Sequence, residues 1–154
     1  MTSPEQRLKN LGIELANPRG PAGAYRPVVI DQGLAWLSGQ GPIDGNGNGI
    51  FGRVPDEVSM ERAIEAARWT GVNALSMLRV EIGSLDRVEK IVKITGYVCA
   101  APGFTEHPKV IDGFSTLMVD IFGDAGRAAR AAVGVATLPF GLVVEVDMVA
   151  RLKD

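Results

Sequence analysis

Two charged residues stand in a tract that otherwise holds small or apolar side chains: Arg130 and Glu145, separated by Ala-Ala-Val-Gly-Val-Ala-Thr-Leu-Pro-Phe-Gly-Leu-Val-Val. An unpaired charge is costly to bury, so each must reach solvent, a partner group or a ligand. The guanidinium of Arg130 is a planar fork that matches a carboxylate. In an extended strand Arg130 shares a face with Ala132, Gly134 and Ala136, whose small side chains leave space and expose backbone N–H groups to a ligand oxygen. That is how a small-carboxylate pocket is built; the alternative is pairing of Arg130 with an acid across an interface. Glu145, as a carboxylate in a poorly solvated place, could orient or activate a water for attack on an electrophilic carbon. A structural salt bridge in an interface is the equal alternative for Glu145.

The spacing constrains how these two residues could cooperate. In a simple hairpin turning at Pro139-Phe140-Gly141, position 145 would face 135, leaving Arg130 five residues away, roughly 17 Å at about 3.3 Å per residue. The pair can share a site only if their strands are not simple neighbours, or if the site is built across subunits. Tyr25 and the run Ser38-Gly39-Gln40-Gly41 are further candidates, because Ser38-Gly39 ends an apolar run with residues that permit close backbone approach. Asp112 lies among apolar neighbours on a helical segment, where an ordinary solvated position is the simpler reading. His107, the single histidine, reads as a surface residue near a helix cap. Cys99, the single cysteine, reads as a small buried hydrophobe. With one histidine and one cysteine, neither a cysteine-based zinc site nor a His-pair metal site is possible, and no metal or cofactor is expected.

The elements that must position these residues follow from periodicity and caps. Ser3, Pro4 and Gly12 bracket a short helix from Pro4 to about Leu11. A Pro/Gly-rich connector, Asn17–Gly23, leads to two apolar runs, Pro27 to Ile30 and Leu34 to Ser38, with Asp31-Gln32-Gly33 as a hairpin turn. From Ser59 to about Ile82, small or apolar residues recur with a 3.6-residue period at Ala63, Ala66, Ala67, Thr70, Gly71, Ala74, Met77 and Leu78, and Gly83 ends the helix. Its small stripe would let it lie close against a sheet. Val88 to Ala100 reads as a strand and Pro108 to Phe122 as a helix with Val110, Phe114, Leu117 and Ile121 inward. Strands of about Ala131 to Leu138 and Leu142 to Leu152 complete an order of helix, β, β, α, β, α, β, β. This is an α+β two-layer domain with helices on one face of a mixed sheet. Along the last strand Glu145 and Asp147 alternate with Val143 and Val149 on the face opposite Val144, Val146 and Met148. A face so half apolar is expected to meet another subunit.

Composition sets the outer bounds. The 154 residues amount to one domain, 46% hydrophobic and 22% charged, with a net charge of -2. Lys and Arg are scattered rather than striped, so nucleic-acid binding is not favoured. The Gly/Asn-rich loop Asp44–Gly49 lacks the lysine of a phosphate-binding loop. No apolar run approaches the roughly 20 residues of a membrane span, and the N-terminus has no apolar signal core, which points to the cytoplasm.

From Ala24 onward the chain resembles the RidA family, also called the YjgF or endoribonuclease L-PSP family. The resemblance lies in the early tyrosine and hairpin, Ser38-Gly39-Gln40, the long helix, the strand Ile91 to Val98, and above all in Arg130, Leu138-Pro139 and Glu145-Val146 at the family's spacing. It implies a chorismate-mutase-like fold in one domain spanning 1–154, with 1–23 as an N-terminal helix and connector typical of a longer subgroup. It also implies a homotrimer with three sites in the clefts between subunits. In the deaminase branch, the residue matching Arg130 holds the substrate carboxylate and the backbone matching Ala132 assists it. The residue matching Glu145 positions the water that attacks a 2-imino or enamine acid, releasing ammonia and a 2-keto acid. Residues matching Tyr25, Ser38 and Gly39 line the same cleft, and Asp112 stands near the helix asparagine of that branch. Two departures are visible: Ala132 replaces a cysteine, and Ala128-Ala129-Arg130-Ala131 replaces Pro-x-Arg-Ser. A binding trimer that holds a small carboxylate or keto acid without turnover is the alternative function, and ribonuclease or translation inhibition has little support from an acidic chain.

Overall fold

The computed structural model describes residues 1–154. Helix α1 covers Pro4–Asn10, strands β1 and β2 cover Val28–Asp31 and Leu34–Gln40, and helix α2 covers Met60–Ile82. Strand β3 (Val88–Cys99), helix α3 (His107–Phe122), strand β4 (Ala129–Val135) and strand β5 (Val144–Leu152) follow. The order is the expected one, and the punctuation that signalled it is in place. The Ser3 side chain accepts from Gln6 N–H and that of Ser59 from Arg62 N–H, capping α1 and α2. Gly83 ends α2 with φ 84°. Gln32 and Gly33 both adopt positive φ, 49° and 75°, as a two-residue primed hairpin turn requires, so Asp31 belongs to β1 rather than to the turn.

The sheet runs β1-β2-β5-β3-β4, all neighbours antiparallel except β3 and β4. Strands β4 and β5 therefore form no hairpin: β3 lies between them, and α3 makes the crossover that a parallel β3–β4 pair needs. Several strand limits differ from the sequence reading: β2 runs on to Gln40, β5 starts at Val144 rather than Leu142, and β4 moves most. Strand β4 starts at Ala129 and leaves the sheet after Val135, because pairing with Lys93–Cys99 sets its limits and its alanines and glycine carry little alternation. A 3-10 turn at Leu85–Arg87, capped by Ser84, precedes β3.

Both long helices cover one face of the sheet. All eight small or apolar positions of the α2 stripe are buried, as are Val110, Phe114, Leu117 and Ile121 of α3. The small stripe also lets the two helices approach each other. A Cβ at Gly71 would meet Leu117 Cδ2 at 2.8 Å, and one at Gly113 would overlap the Ile64 carbonyl. Helix α1 docks beside this layer through Glu5, whose N–H donates to Asp86 Oδ1 (3.0 Å) and whose Oε1 accepts from Leu85 N–H (2.9 Å). In β5, Val144, Val146, Met148 and Ala150 face the helices and are buried, while Glu145 and Asp147 project to the opposite face. That opposite face is open within the chain: Trp36, Val29 and Val133 are all exposed there.

Candidate active site

Glu145 is held opposite Tyr97 of β3, near one end of the open face. Between Leu37 and Gln40, strand β2 spends one more residue than β5, a β-bulge at Ser38-Gly39 opposite Asp147. Gly39 matters for a reason beyond backbone exposure. A Cβ there would stand 2.6 Å from Glu145 Oε2, so the glycine makes the space in which that carboxylate lies. The Ser38 hydroxyl donates to the Arg26 carbonyl at 2.7 Å, and the Tyr25 hydroxyl accepts from Ala22 N–H at 3.2 Å, fixing the connector beside the cleft. Tyr25, Ser38, Gly39 and Glu145 all line one cavity of about 810 Å³.

Two residues that the sequence reading did not single out for chemistry, Asp147 and Tyr97, stand beside Glu145. Burial, and then the neighbouring Asp147 charge, push the Glu145 carboxyl above the usual carboxylate range. Asp147 is itself raised by burial, a shift opposed by the long Tyr97 hydrogen bond (3.4 Å), by Lys93 and by Thr95. Tyr97 is raised by burial and by the charge of Asp147. Asp147 could have been found from alternation, since it is two residues from Glu145 on one face. Tyr97 sits in a run that reads as wholly apolar, and only the register brings it opposite Glu145.

Arg130 lies elsewhere. It pairs in register with Ile94, a core residue, so its side chain leaves β4 on the helix-covered face, and Glu145 leaves β5 on the other. Two strand spacings and three residues separate the positions, roughly 14 Å between backbones. Arg130 Nη1 donates to Asp112 Oδ1 at 2.7 Å and to Ser115 Oγ at 3.2 Å. Asp112 is thus the arginine's ion partner as well as a solvated helix position, with its side chain 60% exposed. Ser115, three residues on along α3, shares its helix edge and was legible from that spacing. Because both contacts use Nη1, the Nε–Nη2 edge of the fork remains for a second carboxylate. Ala132 faces Gly96. The Val135 carbonyl accepts from Ala100 N–H, so by alternation the N–H and C=O of Ala132 point away from β3 to the free edge of the sheet.

Each chain therefore carries two separate constellations: Tyr25, Ser38, Gly39 and Glu145 in the cavity, and Arg130, Ala132 and Asp112 at the β4 edge. His107 is not the free surface residue its position suggests. It opens α3 with its imidazole packed over Gly134, where any Cβ would overlap it, and edge-on to Phe104 at 5.1 Å. Cys99 is buried, with its thiol directed at the Ala136 carbonyl, as a small core residue. No group of three or more His, Cys, Asp or Glu side chains is placed to hold a metal ion. No helix is long and apolar enough to cross a membrane.

A mixed five-stranded sheet with two helices on one face is the architecture of chorismate-mutase-like proteins, and the comparisons with known proteins agree. The family described as "YjgF/chorismate_mutase-like, putative endoribonuclease" matches residues 5–152, and the chain belongs to this RidA/YjgF family. Among its relatives, Protein TCP17 of Trypanosoma cruzi is 37% identical over 148 residues, covering 96% of this chain and 92% of the relative. A solved protein of unknown function from Agrobacterium tumefaciens is 35% identical, with a TM-score of 0.89 over 97% of this chain and 92% of that one. RidA from an Antarctic Psychrobacter shares the fold at 22% identity, with a TM-score of 0.64 over 88% of this chain and 94% of its own.

Proposed function

We propose that the protein is a hydrolytic deaminase of reactive 2-imino or enamine acids, working as a homotrimer in which the Arg130 edge of one copy completes the Glu145 cleft of another. The observation that carries this reading is the environment of Glu145: a half-buried carboxylate of raised pKa, seated over Gly39 at the wall of a cavity. A carboxylate tuned upward is a better proton acceptor from water at neutral pH. The carboxylate of the substrate takes the Nε–Nη2 edge of Arg130 and the outward N–H of Ala132, while Asp112 and Ser115 keep the fork in one plane. The exposed apolar residues of the open face, Val29 and Trp36 toward one edge and Val133 toward the other, supply the contact between copies.

The chemistry balances without a cofactor. Glu145 accepts a proton as the water oxygen bonds to the carbon of the protonated imine, giving a neutral carbinolamine. That proton then passes to the nitrogen, the carbinolamine hydroxyl gives its own proton to the Glu145 carboxylate as the C–N bond breaks and the 2-keto acid forms, and the departing ammonia carries that proton away as ammonium. The reading is tested by generating 2-aminoacrylate or another 2-imino acid in situ and following keto-acid release. Wild type accelerates release; Glu145→Gln loses about 10²- to 10⁴-fold in kcat, and Arg130→Ala loses chiefly in KM. If no imine is turned over faster than in buffer, while pyruvate still binds and that binding disappears in Arg130→Ala, the protein is instead a carboxylate-binding trimer.

A further inference from the structure

The cavity that contains Glu145 is much larger than a three-carbon acid needs. Its volume of about 810 Å³ sits in the upper part of the range of small-molecule sites. It runs from Glu145 past Gly39 and Gly41 around the end of β2 to the flank of α2, with residues 16–22 of the connector along its wall. The far lobe is walled by Leu37, Ile43, Trp69, Val72 and Met77.

Two side-chain donors that α2 turns toward this lobe, Asn73 Nδ2 and Ser76 Oγ, are already engaged. Both Asn73 hydrogen bonds of Nδ2 go to the carbonyls of Gly41 (2.8 Å) and Ile43 (3.0 Å), which also braces the loop leaving β2. The Ser76 hydroxyl turns back to the Val72 carbonyl at 2.9 Å. What the lobe offers a ligand is mostly apolar and aromatic surface, together with the Asn73 Oδ1 and the Trp69 indole N–H, whereas the Glu145 end is charged. A ligand that fills both must be amphiphilic. Arg19 reaches from the connector to within 5.9 Å of the Phe140 ring centroid, a contact that draws the connector toward the loop before β5.

We infer that the α2-side lobe is a side-chain subsite, and that the preferred substrates are 2-imino acids carrying a bulky apolar or aromatic side chain rather than the smallest members of the class. The orientation of the ligand rests on the deaminase reading above; the existence of the lobe does not. Burying an aromatic side chain there should tighten binding by roughly tenfold to a hundredfold over pyruvate.

The test is a series of stable 2-keto acids, from pyruvate through 4-methyl-2-oxopentanoate to phenylpyruvate, titrated by calorimetry, with phenylacetone as a probe that lacks the carboxylate. In parallel, the Trp69 indole N–H resonance is followed by NMR and told apart from Trp36 with Trp36→Phe. Expected are rising affinity along the series, a Trp69 shift with phenylpyruvate but not pyruvate, and a Trp69 shift with phenylacetone that survives Arg130→Ala. Val72→Phe, which fills the lobe, should erase the gain and leave pyruvate binding unchanged; the wild-type NMR shift decides the matter if that variant fails to fold. Pyruvate binding with flat affinity along the series and no Trp69 response overturns the subsite and leaves the deaminase reading intact. A Trp69 response to phenylacetone with no keto acid bound does the reverse: the subsite stands and the carboxylate reading falls.

Discussion

Glu145 and Arg130 stand out in the sequence as candidates because each is a charge in a tract otherwise small or apolar. Their surroundings are less legible there. Ser115 and Asp147 follow from simple periodicity once a partner is suspected, but Tyr97 becomes a neighbour of Glu145 only through the β3–β5 register, which no local pattern encodes. The raised pKa of Glu145 has a consequence for stability that is independent of turnover. Its folded-state pKa lies above the unfolded value, so its contribution is most favourable below the unfolded pKa and is lost as pH rises through the folded one. Ionised Glu145 should therefore weaken the fold at neutral pH. Glu145→Gln is predicted to raise the melting temperature at pH 7 and to raise it less at pH 4, measured by calorimetry at both. A lower melting temperature at pH 7 would mean that the carboxylate is held by a partner after all.

At the scale of elements, helices α2 and α3 announced themselves through a 3.6-residue period and terminal glycines, with a capping serine on α2 alone. Strand β4 did not, because Ala, Gly and Val in a tract facing little bulk give no contrast between faces, and its limits come from pairing with β3. The β3 register, with Arg130 beside Ile94 and Glu145 beside Tyr97 three residues on, is what puts the two on opposite faces, and a register is a tertiary fact. The α2–α3 contact offers a direct check on the packing. Gly113 sits against the Ile64 carbonyl, a backbone atom with little freedom to move. Gly113→Ala should cost about 1–3 kcal/mol through overpacking, read as a lower denaturant midpoint with an unchanged m-value. An unaltered midpoint would show that the helices slide apart freely.

For the whole molecule, the decisive matter is that Arg130 and Glu145 lie on opposite faces of one sheet. If the working site joins two copies, mixing equal amounts of Arg130→Ala and Glu145→Gln chains under subunit exchange should restore about a quarter of wild-type activity, since that fraction of clefts receives both native residues. Restoration of none would mean each chain supplies a whole site by itself. The sheet order carries one more consequence, this time for synthesis. The β1–β2 hairpin and the β3–α3–β4 unit share no strand pairing; β5 alone lies between them and bonds to both. A nascent chain that has not yet released residues 144–152 from the ribosome therefore holds two sheet halves joined only through the helix layer, each with an open edge prone to mispairing. Closure of the sheet and delivery of the Glu145 carboxylate are then one event, and a nonsense mutation anywhere upstream of Val144 should leave a product that degradation machinery recognises as unfolded rather than a shortened but compact protein.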